Sequence, residues 1–583
     1  MTGKSLGDVI RDHQAGRLDL AEAGYKDLLN ETPGNADAIH LLGVICFQKG
    51  RLEDARDLVL RAIALNDGDA LYHSNLGRIE KARGQSTSAA SAYRRSLEIS
   101  ADQADVNSDL AAALVDHGAY GDALQFAERA LKLAPQFAPA AYNKGMALAG
   151  LERIKDSIRC FQRCIALDDG FADAWFQLGR VFQAINDLEQ AEQAYRQAVL
   201  KDPAQSEALC NLGNILRGDG RLTEALQCYD TALKIVPDQA EIHSNRGVVL
   251  QELGQRQQAI SSYRRAIELN PDDAEAHRNL AMALLQIGEY SEGWQEFEWR
   301  WQTRHFAPIR RDWEVGQWGG EPLHGKSVLV HAEQGFGDSF QFCRYVPLLA
   351  ERGARVFIEA PDAIKDVLGT LEGAGQIISP GGPLPRIDYQ ISMMSLPGVF
   401  KTKADNIPAP PSYLRPPSKS VLDWQGRVSA AVDSRRVGIA WKGNPENFRN
   451  LWRSPGLEVF RALMSLPNLK FFSLQKDDGE KDLIECNLTD SIIDFSADLK
   501  SFSDTAAIIN QLDLVITPDT SIAHLSGALG CPTWVMLPHV AEWRWGIDTD
   551  DCPWYPNTRL FRQSDYGDWE SVFSKISDGL RGL

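Results

Sequence analysis

The sequence predicts an α-solenoid over residues 1–305, followed by an α/β region whose two halves each hold a parallel sheet. Three observations predict it. A small residue returns every 34 positions at Gly43, Gly77, Ala111, Gly145, Gly179, Gly213, Gly247 and Ala281. From residue 323 onward, short apolar runs alternate with amphipathic stretches, the pattern of strands crossed over by helices. Tryptophan marks the change of construction: of 14 Trp, only Trp175 precedes Trp294.

Within the periodic region a second small series lies at Ala55, Ala89, Ala123, Ser157, Ala191, Ala225, Ala259 and Gly293, and a third starts at Ala62. Aromatics recur at Tyr93, Phe161, Tyr195, Tyr229, Tyr263 and Phe297, and prolines close units at Pro33, Pro135, Pro203, Pro237 and Pro271. Small residues let two antiparallel helices approach, aromatics fill the space beside them, and proline bounds the next turn. The first unit (Val9, Ala21, Tyr25) is weaker and reads as a cap, and the last is recast with tryptophans. Cys160 and Cys164, one helical turn apart, read as core and not as a metal pair.

This array resembles the tetratricopeptide repeat family. The resemblance implies helix pairs stacked into a superhelix with a long concave face. It also gives meaning to the residue two positions before each small one: Asn75, Asp109, Asn143, Gln177, Asn211, Asn245 and Asn279. In the family this position lies on the first helix of a pair, facing the groove. Amides there donate to and accept from an extended peptide backbone with little regard to its sequence, and a similar asparagine ladder belongs to the superhelix of protein O-GlcNAc transferases. Asn75, Asn143, Asn211, Asn245 and Asn279 are therefore candidate acceptor-peptide contacts. Asparagine is also frequent at this position for packing alone, so both roles stand open.

Composition narrows the function classes. A net charge of −18 argues against general binding to nucleic acid or to anionic membranes. No run of 18 apolar residues offers a membrane span, and the first residues lack the apolar core of a secretory signal. Nine dispersed cysteines without a CxxC pair suit reduced thiols in a cytoplasm better than disulfides or a zinc site. No cluster has metal-ligand spacing, and no GxxxxGK[ST] motif is present, so neither a metal nor a resident cofactor is expected.

After an aromatic connector at 306–322, residues 306–420 form the first α/β half. Strands are expected at Lys326–His331, Val356–Glu359, Gln376–Ser379 and Tyr389–Ser392, with helices at Ser339–Arg352 and Ile364–Leu371. The proline-rich stretch 380–420 reads as the crossing to the second half, 421–583. That half is expected to place strands at Arg436–Trp441, Lys470–Leu474, Ile492–Asp494, Asp513–Thr517 and Thr533–Leu537. Its expected helices are Leu457–Leu466, Ser503–Gln511 and Ile522–Leu529.

Strand ends list the chemistry. Gly335, Gly337 and Asp338 follow the first strand of the first half, where open α/β sheets hold ligands. An ionised Asp338 there suits proton removal from a hydroxyl. Aspartate near a helix start is also an ordinary cap. The second half offers Lys442, Asn444, Arg453, Gln475, Lys476, Asp519, Thr520, Ser521 and His524. Cations beside helix N-terminal amides suit a phosphate. Together these groups are what transfer of a sugar from a nucleotide donor requires.

Residues 323–583 resemble the GT-B glycosyltransferases, close to the heptosyltransferase type. Asp338 in GFGDSFQF matches the family's strand, Gly-Asp turn and helix, and Asp519–Leu525 (DTSIAHL) matches its donor-binding motif. The resemblance implies an inverting, metal-independent transferase with Asp338 as catalytic base and Gly337 on the donor side. The family's basic residue after the first strand of the second half falls on Lys442 or Arg453, with the choice open. The combination of repeats with such a region resembles bacterial flagellin glycosyltransferases. That implies flagellin as acceptor protein and a nonulosonic sugar, such as pseudaminic acid, carried on CMP. A transferase acting on lipopolysaccharide or another glycan, and a non-enzymatic repeat scaffold, are the alternatives.

Overall fold

A computed structural model of the protein describes residues 5–333, 335–428, 434–443, 453–476 and 478–582. The chain divides into two compact units, Met1–Pro237 and Asp238–Leu583. No helix among the described residues is long and apolar enough to cross a membrane.

The first unit holds seven antiparallel helix pairs, from Leu6–Gln14 with Leu18–Glu31 to Ser206–Gly218 with Leu222–Ile235. Volume complementarity within each pair explains the period. A methyl placed on Gly77, Gly145, Gly179 or Gly213 would meet the ring of Tyr93, Phe161, Tyr195 or Tyr229 at 2.5–2.8 Å. Each ring stands sixteen residues after its glycine. Where the small residue is Ala111, the residue sixteen later is Ala127, and both are fully buried. Overpacking such a contact costs about 1–3 kcal/mol, more than the helix propensity gained on replacing glycine. Gly179→Ala should therefore lower the thermal unfolding midpoint of the helical signal. An unchanged midpoint would mean that Tyr195 swings aside without loss.

The turn inside each pair needs a left-handed residue. Gly50, Gly84, Gly118 and Gly220 supply it at φ +74, +74, +79 and +76. Glu152 and Asn186 take φ 59 and 60 at the equivalent turns, where a Cβ carries a steric cost that glycine avoids.

The second unit opens with two more pairs, Ala240–Glu252 with Arg256–Leu269 and Ala274–Gln286 with Tyr290–Phe297. The periodicity places them in a solenoid that ends at 305, but by contact they belong with the α/β region. One hydrophobic core joins Leu285, Trp294 and Phe297 to Trp318, Val328, Phe342 and Trp543. Trp294 Nε1 donates to Thr402 O at 3.0 Å, and Gln286 Nε2 to Ala541 O at 2.7 Å.

Strands β1 (Ser327–His331), β2 (Arg355–Glu359), β3 (Ala374–Ile378) and β4 (Tyr389–Ser392) form a parallel sheet in the order β3-β2-β1-β4. Strands β5 (Arg435–Ile439), β6 (Leu469–Ser473), β7 (Ile492–Ile493), β8 (Leu514–Pro518), β9 (Thr533–Leu537) and β10 (Thr558–Arg562) form a second one. All its pairs are parallel, in the order β10-β9-β8-β5-β6-β7. In each sheet the chain order reverses beside the first strand, between β1 and β4 and between β5 and β8. Crevices at the carboxyl ends of such strands are where open α/β sheets bind ligands.

Two expected helices differ. Ser339–Arg352 is not continuous: a helix Phe336–Phe342 gives way to a 3-10 turn, Cys343–Tyr345, and restarts at Val346–Glu351. Pro347 cannot donate to the carbonyl of Cys343, which breaks the ladder there. Leu457–Leu466 is a 3-10 segment, Glu458–Ser465, confined between Pro455 and Pro467.

Candidate functional site

The turn after β1 carries Asp338 on the short helix Phe336–Phe342, whose N-cap is Gly335. The carboxylate folds back toward Gly335, where a methyl would meet Asp338 Oδ2 at 2.6 Å. It also accepts a hydrogen bond from Arg544 Nη2, so cap and ion pair coexist on one carboxylate. Its side chain is about a quarter exposed. Burial raises the Asp338 carboxyl above the ordinary carboxylate range, Arg544 pulls it down, and Glu542 and Glu333 add to the rise.

Gly337 brings the halves together. A methyl there would lie 2.7 Å from His524 Cδ2 on the helix Ser521–Leu529. The close approach that the glycine allows is thus to the second half. His524 Nδ1 is 2.9 Å from the Tyr555 hydroxyl, its ring stacks on Trp545, and Nε2 lies 3.9 Å from Asp519 Oδ1. Burial, reinforced by Arg544, Arg344 and Arg453, holds His524 far below the ordinary imidazole range, so the ring is neutral at working pH. Burial and then Glu542 raise Asp519 to about 6, against Arg453 and Arg544. Thr520 caps the helix by accepting from Ile522 N at 3.3 Å, and Ser521 opens it.

The remaining expected donor residues divide. Arg453 stands close enough to Asp519 and His524 for its charge to act on both. Lys442 instead pairs with Asp482 at 2.6 Å. Gln475 Oε1 accepts from the backbone N–H groups of Trp441 and Lys442, each at 3.2 Å, which commits it to bracing the end of β5. Lys476 is exposed beside it. Asn444 lies outside the described residues.

The amide row divides too. Asn143 is buried, with Nδ2 donating to Ser108 O and Oγ at 2.9 Å. Asn75 Nδ2 lies 2.9 Å from His40 Nε2, and Asn211 Nδ2 donates to the Tyr195 hydroxyl at 3.3 Å. Asn245 and Asn279 are half-buried on their helices. Part of the row therefore knits neighbouring helices together.

Sequence reasoning missed the groups that hold the turn. The tetrapeptide Glu-Trp-Arg-Trp occurs twice, at 298–301 and 542–545. In each copy the arginine is buried and pairs with the glutamate two residues before it. Each arginine also reaches one end of the Asp338 turn. Arg300 holds Glu333 with two hydrogen bonds, 2.6 and 2.9 Å, and Arg544 holds Asp338 while donating to Gln341 Oε1 at 2.8 Å. Ser392 Oγ and Ser395 Oγ complete the Glu333–Arg300 network. The duplicated tetrapeptide was the available signal. Among the described residues no group of three His, Cys, Asp or Glu side chains could hold a metal ion.

Comparisons with known proteins bear on the helical part. Tetratricopeptide-repeat family models match residues 13–79, 74–137, 138–170, 160–193, 213–254 and 251–288. Protein FlbA of Caulobacter vibrioides is 25% identical over 316 residues, 50% of this chain and 52% of its own length. The chain thus spans about half the length of this curated relative. Among solved structures, YrrB, described as a TPR protein with an unusual peptide-binding site, is 25% identical over 32% of this chain and 96% of its own, with a TM-score of 0.28. MamA is 25% identical over 28% of this chain and 97% of its own, with a TM-score of 0.26. Residues 13–193 and 213–288 are tetratricopeptide repeats, a construction that serves protein binding, and parallel α/β sheets follow them.

Proposed function

We propose that this chain is a cytoplasmic protein O-glycosyltransferase of GT-B type. In this reading the repeats hold an acceptor protein, with flagellin the first candidate, and Asp338 serves as general base. The observation that carries the reading is Asp338 itself: a carboxylate on the short helix after β1, fixed by Arg544 and one residue beyond the glycine that abuts His524 of the other half. Asp338 takes the proton of a Ser or Thr hydroxyl as that oxygen bonds to the anomeric carbon of the donor sugar. The bond from that carbon to the phosphate oxygen breaks, and the nucleotide leaves with the electron pair. One displacement inverts the anomeric centre and calls for no metal. A nonulosonic sugar on CMP is the donor class carried over from the resembling transferases.

The nucleotide belongs at the β5–β8 crevice. Arg453 acts there as the phosphate ligand, since Lys442 is already paired with Asp482. Charge-assisted contacts contribute about 1.5–3 kcal/mol, so Arg453→Ala should weaken nucleotide binding by about 10–100-fold and Lys442→Ala by less. Calorimetric titration of the full chain with CMP, UDP and GDP measures both effects and the base preference. A folded protein that binds none of the three would overturn the transferase reading in favour of a scaffold.

A further inference from the structure

A cavity of about 780 Å³ opens at the carboxyl ends of β1 and β4, the reversal point of the first sheet. Ligand pockets commonly fall between ~300 and ~1,000 Å³ and sit at such points. His331 and Ser392 end the two strands on its floor, beside Gln390, Ala332 and Glu333. The connector after the last repeat helix walls it with Trp301, Ile309, Trp313 and Val315.

The floor is already set. His331 Nε2 lies 2.9 Å from Gln390 Oε1, its ring stacks on Trp313 at 5.1 Å, and burial lowers its pKa so that it stays neutral. Glu333 pairs with Arg300, which it shares with Glu298, and Ser392 donates to it. At the wall Arg311 is held by the buried Glu359, with hydrogen bonds of 2.9 and 2.7 Å, and Glu298 by Arg300. Arg310 and Asp312 stand at the mouth with opposite signs. Among the described residues the four acids here, Glu298, Asp312, Glu333 and Glu359, outnumber Arg300, Arg310 and Arg311, so nothing draws an anion, which separates this cavity from the phosphate side of the molecule. What faces the ligand is aromatic and aliphatic surface interleaved with the amides of Gln302, Gln317 and Gln390, groups that pair with a polypeptide backbone.

We propose that this cavity binds the stretch of acceptor polypeptide adjoining the modified Ser or Thr and selects against acidic side chains there. The inference rests on the transferase reading above. Its geometric warrant is proximity: Glu333 forms part of the floor and stands close enough to Asp338 for its charge to act on that carboxyl. A hydroxyl presented to Asp338 therefore has its flanking residues at this opening. An acidic flanking side chain would meet this excess of carboxylates and lose its hydration, with only the exposed Arg310 as an uncommitted cation among the described lining residues.

The test uses the full chain carrying p-benzoylphenylalanine in place of Ile309, a side chain that is 46% exposed at the cavity wall. The same photo-crosslinker in place of Ile484, 59% exposed on the helix Gly479–Glu485, serves as control. Each variant is co-expressed with flagellin, irradiated, and analysed by peptide mass mapping of crosslinks and glycopeptides. Crosslinks from position 309 should fall within about five residues of a glycosylated Ser or Thr, roughly 17 Å of extended chain, in segments poor in Asp and Glu, with none from position 484. Glycosylated flagellin with crosslinks elsewhere, or none, would overturn the cavity's role while leaving the transferase reading intact. A crosslink to lipopolysaccharide would overturn it in favour of a glycan acceptor. Flagellin recovered without sugar beside the unaltered protein would remove the flagellin reading and this inference with it.

Discussion

Asp338→Asn is expected to lower sugar transfer by about 10²–10⁴-fold, the usual effect of losing a general base, while nucleotide binding persists. Asparagine keeps the shape of the side chain, and its one amide oxygen still accepts from Arg544, while the amide nitrogen takes the place of the oxygen that faces Gly335. It cannot take up a proton. Burial has already raised the basicity of Asp338 above that of an ordinary carboxylate, which brings it closer to the hydroxyl it must deprotonate. Transfer measured by intact mass of the acceptor, with nucleotide affinity and circular dichroism alongside, separates the roles. Near-normal turnover in the variant would leave Asp338 as a helix cap and nothing more.

Arg544→Gln should produce the second large effect, and one with a defined pH dependence. Arg544 pairs with Asp338 and Glu542 and also lowers the pKa of Asp519. Removing one partner from a buried ionic cluster typically costs about 3–5 kcal/mol. The folded pKa of Asp519, about 6, lies above the ordinary value of roughly 3.9 for aspartate in an unfolded chain. Between those values the folded state binds a proton that the unfolded state does not, so this group costs stability increasingly as pH rises through that window. Asp338, also raised, acts in the same direction. Without Arg544 both carboxyls move further up, and the cost keeps growing above pH 6. The variant should therefore show its full deficit in unfolding midpoint at pH 8 and a smaller one at pH 5. Equal deficits at the two pH values would mean that Arg544 does not hold these carboxylates in their charged form.

The solenoid was legible because its rule is local. A glycine and the ring sixteen residues later belong to the same helix pair, so 34-residue spacing is written directly into the chain. Strands β1, β5, β8 and β9 were legible for a similar reason: each is a short apolar run between breaking residues. The site was legible only at its strand ends. Asp338 and His524 follow strands, and position alone marks them. Arg300 and Arg544 do not, because the carboxylates that explain them lie 33 and 206 residues away. Tryptophans flanking a charged residue read as surface or interface until the fold closes around them. That Lys442 is paired was not legible, because its partner Asp482 sits on a helix, Gly479–Glu485, that sequence patterning did not find.

The single core shared by the last helix pair and the first sheet makes the two ends of the array unequal. The contacts through Gln286, Trp294 and Arg300 lie wholly within Asp238–Leu583. Whole 34-residue modules can therefore be added to or removed from the Met1–Pro237 side without disturbing any of these contacts. Cutting at residue 305 instead strips a hydrophobic wall and the arginine that anchors Glu333. The number of repeat modules is free to vary at one end, while the last helix pair is fixed as part of the α/β core.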